Sequence, residues 1–153
     1  MQLSVVTSLY NSAAWVETFY QRMVAACEAL GKEFELIFVN DGSADESLSL
    51  AIGLQEKDKR IRVIDLSRNF GHHKALMTGL GYAAGDLVFL IDSDLELDPK
   101  ILLDFNKRLA ESNCDVVYGL QSDRQGGWFE RISGGMFFHL FNFLSMQPVP
   151  KNV

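Results

Sequence analysis

Leu87-Val-Phe-Leu-Ile-Asp-Ser-Asp-Leu-Glu96 is an apolar run that ends in two aspartates one residue apart, Asp92 and Asp94. An apolar run bounded by polar residues predicts a strand that is buried on both faces. Carboxylates at the end of such a strand are unfavourable unless their charge is compensated. A divalent cation that also binds a phosphate supplies that compensation. We therefore expect Asp92 and Asp94 to lie across a turn from each other, with Asp94 as a metal ligand.

The alternative role for acids in this stretch is helix capping. Asp98-Pro99 opens the next predicted helix. Acidic residues and proline are both favoured at a helix N-terminus. We assign Asp98 to capping and keep Asp94 for the metal.

Composition excludes several classes of protein. The chain has 153 residues, of which 48% are hydrophobic and 22% are charged, as expected for one globular domain. Its net charge of −6 argues against binding to a nucleic acid. Cys27 and Cys114 lack the spacing of a zinc site or of a disulfide framework, so we expect a reducing, cytoplasmic compartment. We expect neither a signal peptide, since the sequence opens on a strand pattern, nor a membrane-spanning segment, since its apolar stretches are short.

Strand and helix patterns alternate along the chain. Helical spacing over residues 16–30 ends at Gly31, and Ser43 with Glu46 predicts a capping box for the second helix. A third helix is expected to end near Gly85. Strands are predicted over residues 3–9, 34–39, 61–66, 87–91 and 116–118, and a fourth helix over 101–109. The alternation predicts an α/β fold, a mostly parallel sheet flanked by helices and joined by right-handed crossovers.

Ligands bind such sheets at the carboxyl ends of the strands. Three polar segments lie there: residues 8–11, 40–42 and 92–96. Asp41 is suited to accept hydrogen bonds from a ribose hydroxyl or a base, and Gly42 would let a ligand approach the backbone. The alternative for Asp41 is an ordinary Asp-Gly turn.

Basic and glycine-rich motifs are less specific. Gly79-Leu-Gly-Tyr-Ala-Ala84 matches a dinucleotide-binding pattern, but it lies within a helix, so we interpret it as helix packing. His72 and His73 diverge by about 100° on a helix, and we expect one of them to make a polar contact near the ligand. Arg68 and Lys74 are candidate phosphate partners, or solvated charges.

Four ordered motifs resemble the family 2 glycosyltransferases. They are Ser4-Val-Val-Thr-Ser-Leu-Tyr-Asn11, Val39-Asn-Asp-Gly-Ser43, Arg68-Asn-Phe-Gly71 and Ile91-Asp-Ser-Asp-Leu-Glu96. The likeness covers essentially the whole chain and is closest to the polyprenyl-phosphate branch, which includes dolichol-phosphate mannose synthases. It implies the GT-A nucleotide-diphospho-sugar transferase fold, a divalent metal and inverting transfer.

The resemblance also implies roles for individual residues. Asp41 would hold the base or ribose, and Asp94 and Glu96 would hold Mg²⁺ or Mn²⁺. The donor-binding residues that it implies are Ser8, Tyr10, Asp41, Asp92, Ser93 and Asp94.

This chain departs from the family pattern at several positions. Ser8 stands where the family usually has proline, Ser12 where it often has glutamate, and Glu96 where glutamine is common. Gln121 stands where an arginine often grips the diphosphate. The diphosphate contacts are therefore assigned to Arg68, Lys74, Arg124 and Arg131 as candidates.

The implied reaction moves a sugar from a nucleoside-diphosphate sugar to an acceptor. A UDP-sugar is favoured as donor, with GDP-mannose as the second choice, and the acceptor is a polyprenyl phosphate or a growing cell-surface glycan. In this family the catalytic base usually lies downstream of the fifth strand. The chain stops at Val153, so we expect residues 1–153 to be a single donor-binding domain that is truncated before the acceptor region. No catalytic base is assigned.

Residues 128–144 carry aromatic and aliphatic side chains around most of a helix circumference. A helix of that kind is usually buried. It could instead lie at a membrane interface near a lipid acceptor, which would place the protein at the cytoplasmic face of the membrane.

Other function classes fit less well. A phosphoacceptor signalling domain would divide its acids between the first and third strands and place a lysine after the fifth. A sugar nucleotidyltransferase would have a basic, glycine-rich loop after the first strand, where this chain has residues 8–12. A non-catalytic nucleotide-binding module of the same fold stays as the alternative.

Overall fold

The computed structural model describes residues 2–112 and 114–119. The chain divides into two units, residues 1–113 and 114–153. The elements of the first unit are β1 (Leu3–Leu9), α1 (Ala13–Leu30), β2 (Phe34–Asn40), α2 (Ser47–Lys57), β3 (Ile61–Asp65), α3 (His72–Tyr82), β4 (Leu87–Leu90) and α4 (Ile101–Glu111).

The strands form a parallel sheet in the order β3-β2-β1-β4. Leu3 is level with Phe34 on one side and with Leu87 on the other, so β1 is a central strand. All seven residues of β2 are buried, which agrees with its nearly continuous apolar sequence. The sequence predicted these strands correctly, including the parallel α/β arrangement.

Helices cover both faces of the sheet. The larger core joins α1, α2 and α4 to one face, and includes Phe19, Phe38 and Leu102. The smaller core lies on the other face, where Ala75 of α3 packs with Val6 of β1. The α1 and α2 connections step in one direction, and α3 returns across the opposite face, as crossovers of a single hand require.

Gly79 allows α3 to lie close to the sheet. A side-chain carbon at Gly79 would overlap Val6 and come within 2.9 Å of Val39. This confirms the predicted role in helix packing for Gly79, whereas a side-chain carbon at Gly81 would meet nothing within 4 Å.

The strand order reverses between β1 and β4, and this is the switch point of the sheet. Ile91 N–H still donates to the carbonyl of Val6, 3.3 Å away, so the two strands stay together until the acidic segment begins. In open parallel sheets a crevice forms at such a point, outside the carboxyl ends of the strands. The acidic segment therefore leaves β4 beside the end of β1.

The prediction that β4 is buried on both faces was wrong. Phe89 is buried, but Val88 and Leu90 are 41% and 43% exposed. The reason is position, because β4 is an edge of the four-stranded sheet and α3 packs mainly over β1 and β2. An apolar run does not reveal whether a strand lies at the centre or at the edge.

Two local predictions were also wrong. Ser43 does not cap α2, because its hydroxyl accepts the N–H of Asn11 and donates to the carbonyl of Leu9. The helix begins only at Ser47. Residues 116–118 form no strand, and residues 114–119 contain neither strand nor helix. A three-residue apolar run forms a strand only where a neighbour takes its backbone hydrogen bonds.

Asp98 was predicted to cap α4, but the N-cap position of α4 is Lys100 and Asp98 lies two residues earlier. Its carboxylate accepts the N–H of Lys100 at 3.0 Å, and its carbonyl accepts the N–H of Ile101. It therefore caps the turn that leads into α4.

The aromatic segment 128–144 and the residues Gln121, Arg124 and Arg131 lie outside the described residues. Among the residues that are described, no helix is both long enough and apolar enough to cross a membrane.

A buried carboxylate ties the amino ends of the strands to the segment after α3. Glu35, which is 7% exposed, accepts hydrogen bonds from Ser4 Oγ (2.6 Å), Ala84 N–H (2.8 Å) and Arg62 Nη1 (3.0 Å). Burial alone would raise the pKa of Glu35, but these hydrogen bonds together hold that pKa below its usual value. The cluster fixes the end of α3 and, through it, the start of β4.

Because the pKa of Glu35 is lowered by folding, its ionised form stabilises the fold above the unfolded-state pKa of about 4.3, and that contribution is lost as pH falls through the folded-state value. We expect Glu35→Gln to lower the free energy of unfolding at pH 7 by about 1–3 kcal/mol, because its amide would face Arg62. The difference from the parent should shrink below about pH 4. Urea unfolding across this range measures both quantities.

Glu33→Gln is the matched control, since Glu33 is exposed and precedes the same strand. A Glu35→Gln effect that stays constant down to pH 3 would contradict the linkage.

Candidate functional site

Asp41 is a buried carboxylate at the carboxyl end of β2. It is 2% exposed, and its two oxygens accept the N–H groups of Phe70 at 2.7 Å and Gly71 at 3.0 Å. These are the last two residues before α3. Asp41 thus fixes the loop of residues 66–71, which we call the clamp loop, and thereby the start of α3.

Gly42 lets the clamp loop approach β2 closely. Its φ is +66°, and a side-chain carbon there would lie 2.5 Å from the Asn69 nitrogen and 2.6 Å from the Arg68 carbonyl carbon. The sequence predicted that a ligand would approach the backbone at Gly42, but the group that lies there is the protein's own loop. The alternative of an ordinary Asp-Gly turn therefore understates the role of these residues.

The clamp loop presents polar and aromatic groups at the strand ends. The guanidinium of Arg68 lies over the ring of Phe70, 4.9 Å from its centroid. Lys74 is exposed in the first turn of α3, and the Tyr10 ring, which is 54% exposed, follows β1. Arg68 and Lys74 are free of the core and remain candidates for binding a phosphate.

The loop after β1 is attached to the loop after β2. Asn11 has a φ of +52° and its side chain accepts the N–H of Ala44 at 2.9 Å. Asp45 accepts the N–H of Ala13 and the N–H of Ser47, and Ser47 Oγ accepts the N–H of Ser12. This network holds the strand ends of β1 and β2 in one arrangement.

A histidine joins the two sides of the switch point. Nδ1 of His72 lies 2.9 Å from the hydroxyl of Ser8, and Nε2 lies 3.4 Å from Oδ1 of Asp92. Ser8 belongs to β1, His72 opens α3, and Asp92 follows β4. We call this arrangement the Ser8–His72–Asp92 bridge.

Ser93 locks the acidic segment onto β1. It is 5% exposed, and its hydroxyl donates to the carbonyl of Ser8 at 3.2 Å. Because Ser93 points inward, Asp92 and Asp94 on either side of it are both exposed. The structure therefore brings together three predicted residues, Ser8, Asp92 and Ser93.

The acidic segment then turns sharply. Asp94 Oδ1 accepts the N–H of Glu96 at 3.0 Å, and Leu95 between them has a φ of +62°. The side chain of Leu95 packs against the larger core, which holds this unfavourable backbone conformation in place. Asp94 and Glu96 are both exposed.

The chemistry of Asp94 and Glu96 suits Mg²⁺ or Mn²⁺, which prefer oxygen ligands. Within residues 2–112 and 114–119, no group of three or more His, Cys, Asp or Glu side chains is arranged to hold a metal. Mg²⁺ commonly binds through one or two carboxylates together with substrate phosphates and water. The two exposed carboxylates fit a metal that shares its coordination with a bound diphosphate.

The sequence interpretation did not single out His72 or the clamp. It treated His72 and His73 alike, because the helix start was not assigned to a residue. Gly71, whose φ of +99° marks the end of the loop, was the available signal. A helix starting directly after Gly71 places His72, and not His73, at the strand ends.

A family comparison identifies the chain. Residues 4–152 match the model of Glycosyl transferase family 2. Over 152 residues, which are 99% of this chain, it is 47% identical to a Mycobacterium tuberculosis (strain CDC 1551 / Oshkosh) protein named as a glycosyltransferase. The match covers 44% of that protein. It is 37% identical over 133 residues to the undecaprenyl-phosphate 4-deoxy-4-formamido-L-arabinose transferase of Edwardsiella ictaluri (strain 93-146), covering 84% of this chain and 40% of that protein.

Solved structures agree on the fold. The chain is similar to Staphylococcus aureus TarS in complex with UDP-GlcNAc, with a TM-score of 0.61 and 26% identity over 83% of this chain and 37% of that one. The Pyrobaculum calidifontis mannosyltransferase PcManGT, in complex with GDP-Man and Mn²⁺, matches with a TM-score of 0.58 and 22% identity over 66% of this chain and 30% of that one. The fold is GT-A, as predicted.

The chain spans less than half the length of the curated relatives it matches, between 40% and 48%. The matches nevertheless run across nearly all of the chain itself, and the polyprenyl-phosphate branch is represented among them. The chain belongs to glycosyltransferase family 2.

Proposed function

We propose that this chain is the donor-binding part of an inverting, metal-dependent glycosyltransferase. It would bind a nucleoside-diphosphate sugar and pass the sugar to a polyprenyl phosphate or a glycan. The observation that carries the proposal is the meeting of Ser8, Asp92 and Ser93 at the switch point, directly before the exposed carboxylates of Asp94 and Glu96.

The nucleoside would lie toward β2 and the sugar toward β4. Asp41 and the clamp loop border the first region, with Tyr10 exposed beside them. Asp41 retains acceptor capacity beyond its two backbone hydrogen bonds, because a carboxylate offers about four lone-pair sites. The complex of TarS with UDP-GlcNAc supports a uridine nucleotide as the first donor to test, and that of PcManGT with GDP-Man makes the guanosine nucleotide the second.

Asp92 would contact the donor sugar, and Asp94 and Glu96 would hold Mg²⁺ or Mn²⁺. The metal, when bound, neutralises charge that develops on the departing nucleoside diphosphate. Arg68 and Lys74 are exposed cations of the described region that could add charge to the same phosphates. Arg124 and Arg131 stay candidates for the same role.

In the proposed reaction an acceptor oxygen forms a bond to the anomeric carbon while the bond from that carbon to the diphosphate breaks. Attack from the opposite face inverts the configuration. A polyprenyl phosphate is already ionised, so it needs no strong base, whereas a sugar hydroxyl does. The undecaprenyl-phosphate transferase relative favours the lipid phosphate, and hence work at the cytoplasmic face of a membrane.

The experiment that tests the function compares the full-length protein with residues 1–153. Each is incubated with Mn²⁺, UDP-GlcNAc or GDP-mannose, and polyprenyl phosphate or a simple sugar acceptor. We expect similar donor affinity in both proteins and sugar transfer by the full-length protein only, because the described donor residues all precede Tyr118. Tight binding without any transfer by the full-length protein would favour a non-catalytic binding module.

We expect Asp94→Asn to weaken Mn²⁺-dependent binding of the sugar nucleotide by about tenfold or more, which is about 1.4 kcal/mol. The asparagine oxygen can still accept the N–H of Glu96, so the turn should survive while the charge is lost. Calorimetry with and without Mn²⁺ measures the effect.

Asp98→Asn is the matched control, because Asp98 accepts the N–H of Lys100 at the same 3.0 Å distance. Equal metal-dependent affinities in both variants would remove Asp94 from the metal site.

Asp41→Asn should lower the free energy of unfolding by about 1–3 kcal/mol, because its amide would face a backbone N–H of the clamp loop. It should also weaken uridine as much as the sugar nucleotide, since Asp41 lies away from the acidic segment. Thermal unfolding and calorimetry separate the two effects.

Asp65→Asn serves as the control, since its amide oxygen can still accept the hydrogen bond from Asn40. If the Asp41 variant loses stability but binds uridine and guanosine like the parent, Asp41 acts on the loop alone.

A further inference from the structure

We propose that His72 is a positioning residue for the donor sugar, acting through the Ser8–His72–Asp92 bridge. This inference rests on the proposed donor site and adds to it a residue that orients Asp92. Its carrying observation is that one imidazole lies 2.9 Å from the hydroxyl of Ser8 and 3.4 Å from the carboxylate of Asp92, across the switch point.

The backbone on both sides of His72 is fixed by contacts with buried residues of the sheet. Asp41 accepts the N–H of Gly71, the residue directly before His72, and Gly42 lies against the clamp loop. Ala75 and Gly79 pack the following turns of α3 on the sheet. The imidazole therefore extends from a fixed stretch of backbone, and it can restrain the orientation of the exposed Asp92 carboxylate.

Proton placement makes the bridge directional. Attraction to the Asp92 carboxylate requires a proton on Nε2 of His72. In the neutral imidazole Nδ1 is then an acceptor, so the hydroxyl of Ser8 donates to it. The lone pairs of Ser8 Oγ are left to accept a hydrogen bond from another group.

The bridge adds little to stability. The side chains of His72 and Asp92 are 46% and 61% exposed. Contacts to a carboxylate this exposed have small effects on folding because water screens them. The effect of the bridge should therefore be seen in binding, where a restrained Asp92 loses less freedom when a sugar hydroxyl donates to it.

The test measures an effect that is specific to the sugar. Calorimetry in the presence of Mn²⁺ measures the affinity of the full-length protein for UDP-GlcNAc, UDP, GDP-mannose and GDP. The ratio of the affinity for each sugar nucleotide to that for its free nucleotide is then compared among variants. We expect His72→Ala to weaken binding of the sugar nucleotide by about three- to tenfold and of the free nucleotide by less than about twofold, because the variant frees only Asp92, which lies on the sugar side. Thermal unfolding should barely change.

Two conservative variants separate the contact of His72 with Asp92 from its contact with Ser8. The His72→Gln amide nitrogen can occupy the Nε2 position facing Asp92, so this variant should recover most of the sugar-specific affinity. The His72→Asn amide occupies the Nδ1 position facing Ser8 and should not. Ser8→Ala should have a smaller effect than His72→Ala, and the double variant should be no weaker than His72→Ala alone, because both act through one contact.

His73→Gln is the matched control, since its ring lies beside that of His72, with ring centroids 5.4 Å apart and ring planes at 62°. If the parent and the His72→Ala variant bind the sugar nucleotide equally well, this inference alone is overturned. A parent that binds none of the four ligands would overturn the proposed function and this inference with it. If His72→Ala weakens nucleotide and sugar nucleotide alike, or if Asn rescues as well as Gln, His72 does not act through Asp92.

Discussion

The hydrogen bonds between Asp41 and the clamp loop are the constraint on which the rest of the site depends. A nearly fully buried carboxylate is tolerable only when its oxygens are matched by donors. Here both oxygens take backbone N–H groups from consecutive residues, Phe70 and Gly71. The arrangement satisfies two N–H groups that precede α3 and sets where that helix starts.

The arrangement of side chains at the switch point depends on where α3 starts. The start of α3 places His72 between Ser8 and Asp92, while Ser93 fastens the acidic segment to β1 from the inner side. On the other side, the network around Asp45 joins the loops after β1 and β2. The carboxyl ends of the strands are thus held by the protein's own hydrogen bonds, which lowers the conformational entropy that binding would otherwise remove.

The sequence was sufficient to predict the strands and helices, whose hydrophobic residues recur at regular spacing. Strand and helix patterns predicted β1 to β4 and the parallel sheet, since buried parallel strands and amphipathic helices have distinct periods. The ordered motifs indicated the family, and local rules placed Asp98 in the turn before α4, although not at its N-cap. These features depend on residues close together in the chain.

Features that depend on distant residues were not predictable in the same way. The exposure of Val88 and Leu90 reflects the strand order, which a run of apolar residues does not encode. Ser43 seemed to be a helix cap because its true partners, Asn11 and Leu9, are more than thirty positions away. The bridge through His72 likewise joins three separate elements, so composition and spacing could mark its members but not bring them together.

Leu95 gives the acidic segment a consequence for directed evolution. A non-glycine residue with positive φ stores strain of order 1 kcal/mol, and here the packed side chain of Leu95 sustains it. Glycine or asparagine at this position would accept the backbone conformation more readily, but neither would replace the packing of the Leu95 side chain against the larger core. Such a variant would lose the anchor that fixes the turn between Asp94 and Glu96. Relief of backbone strain and retention of the anchored turn would thus compete at this one residue.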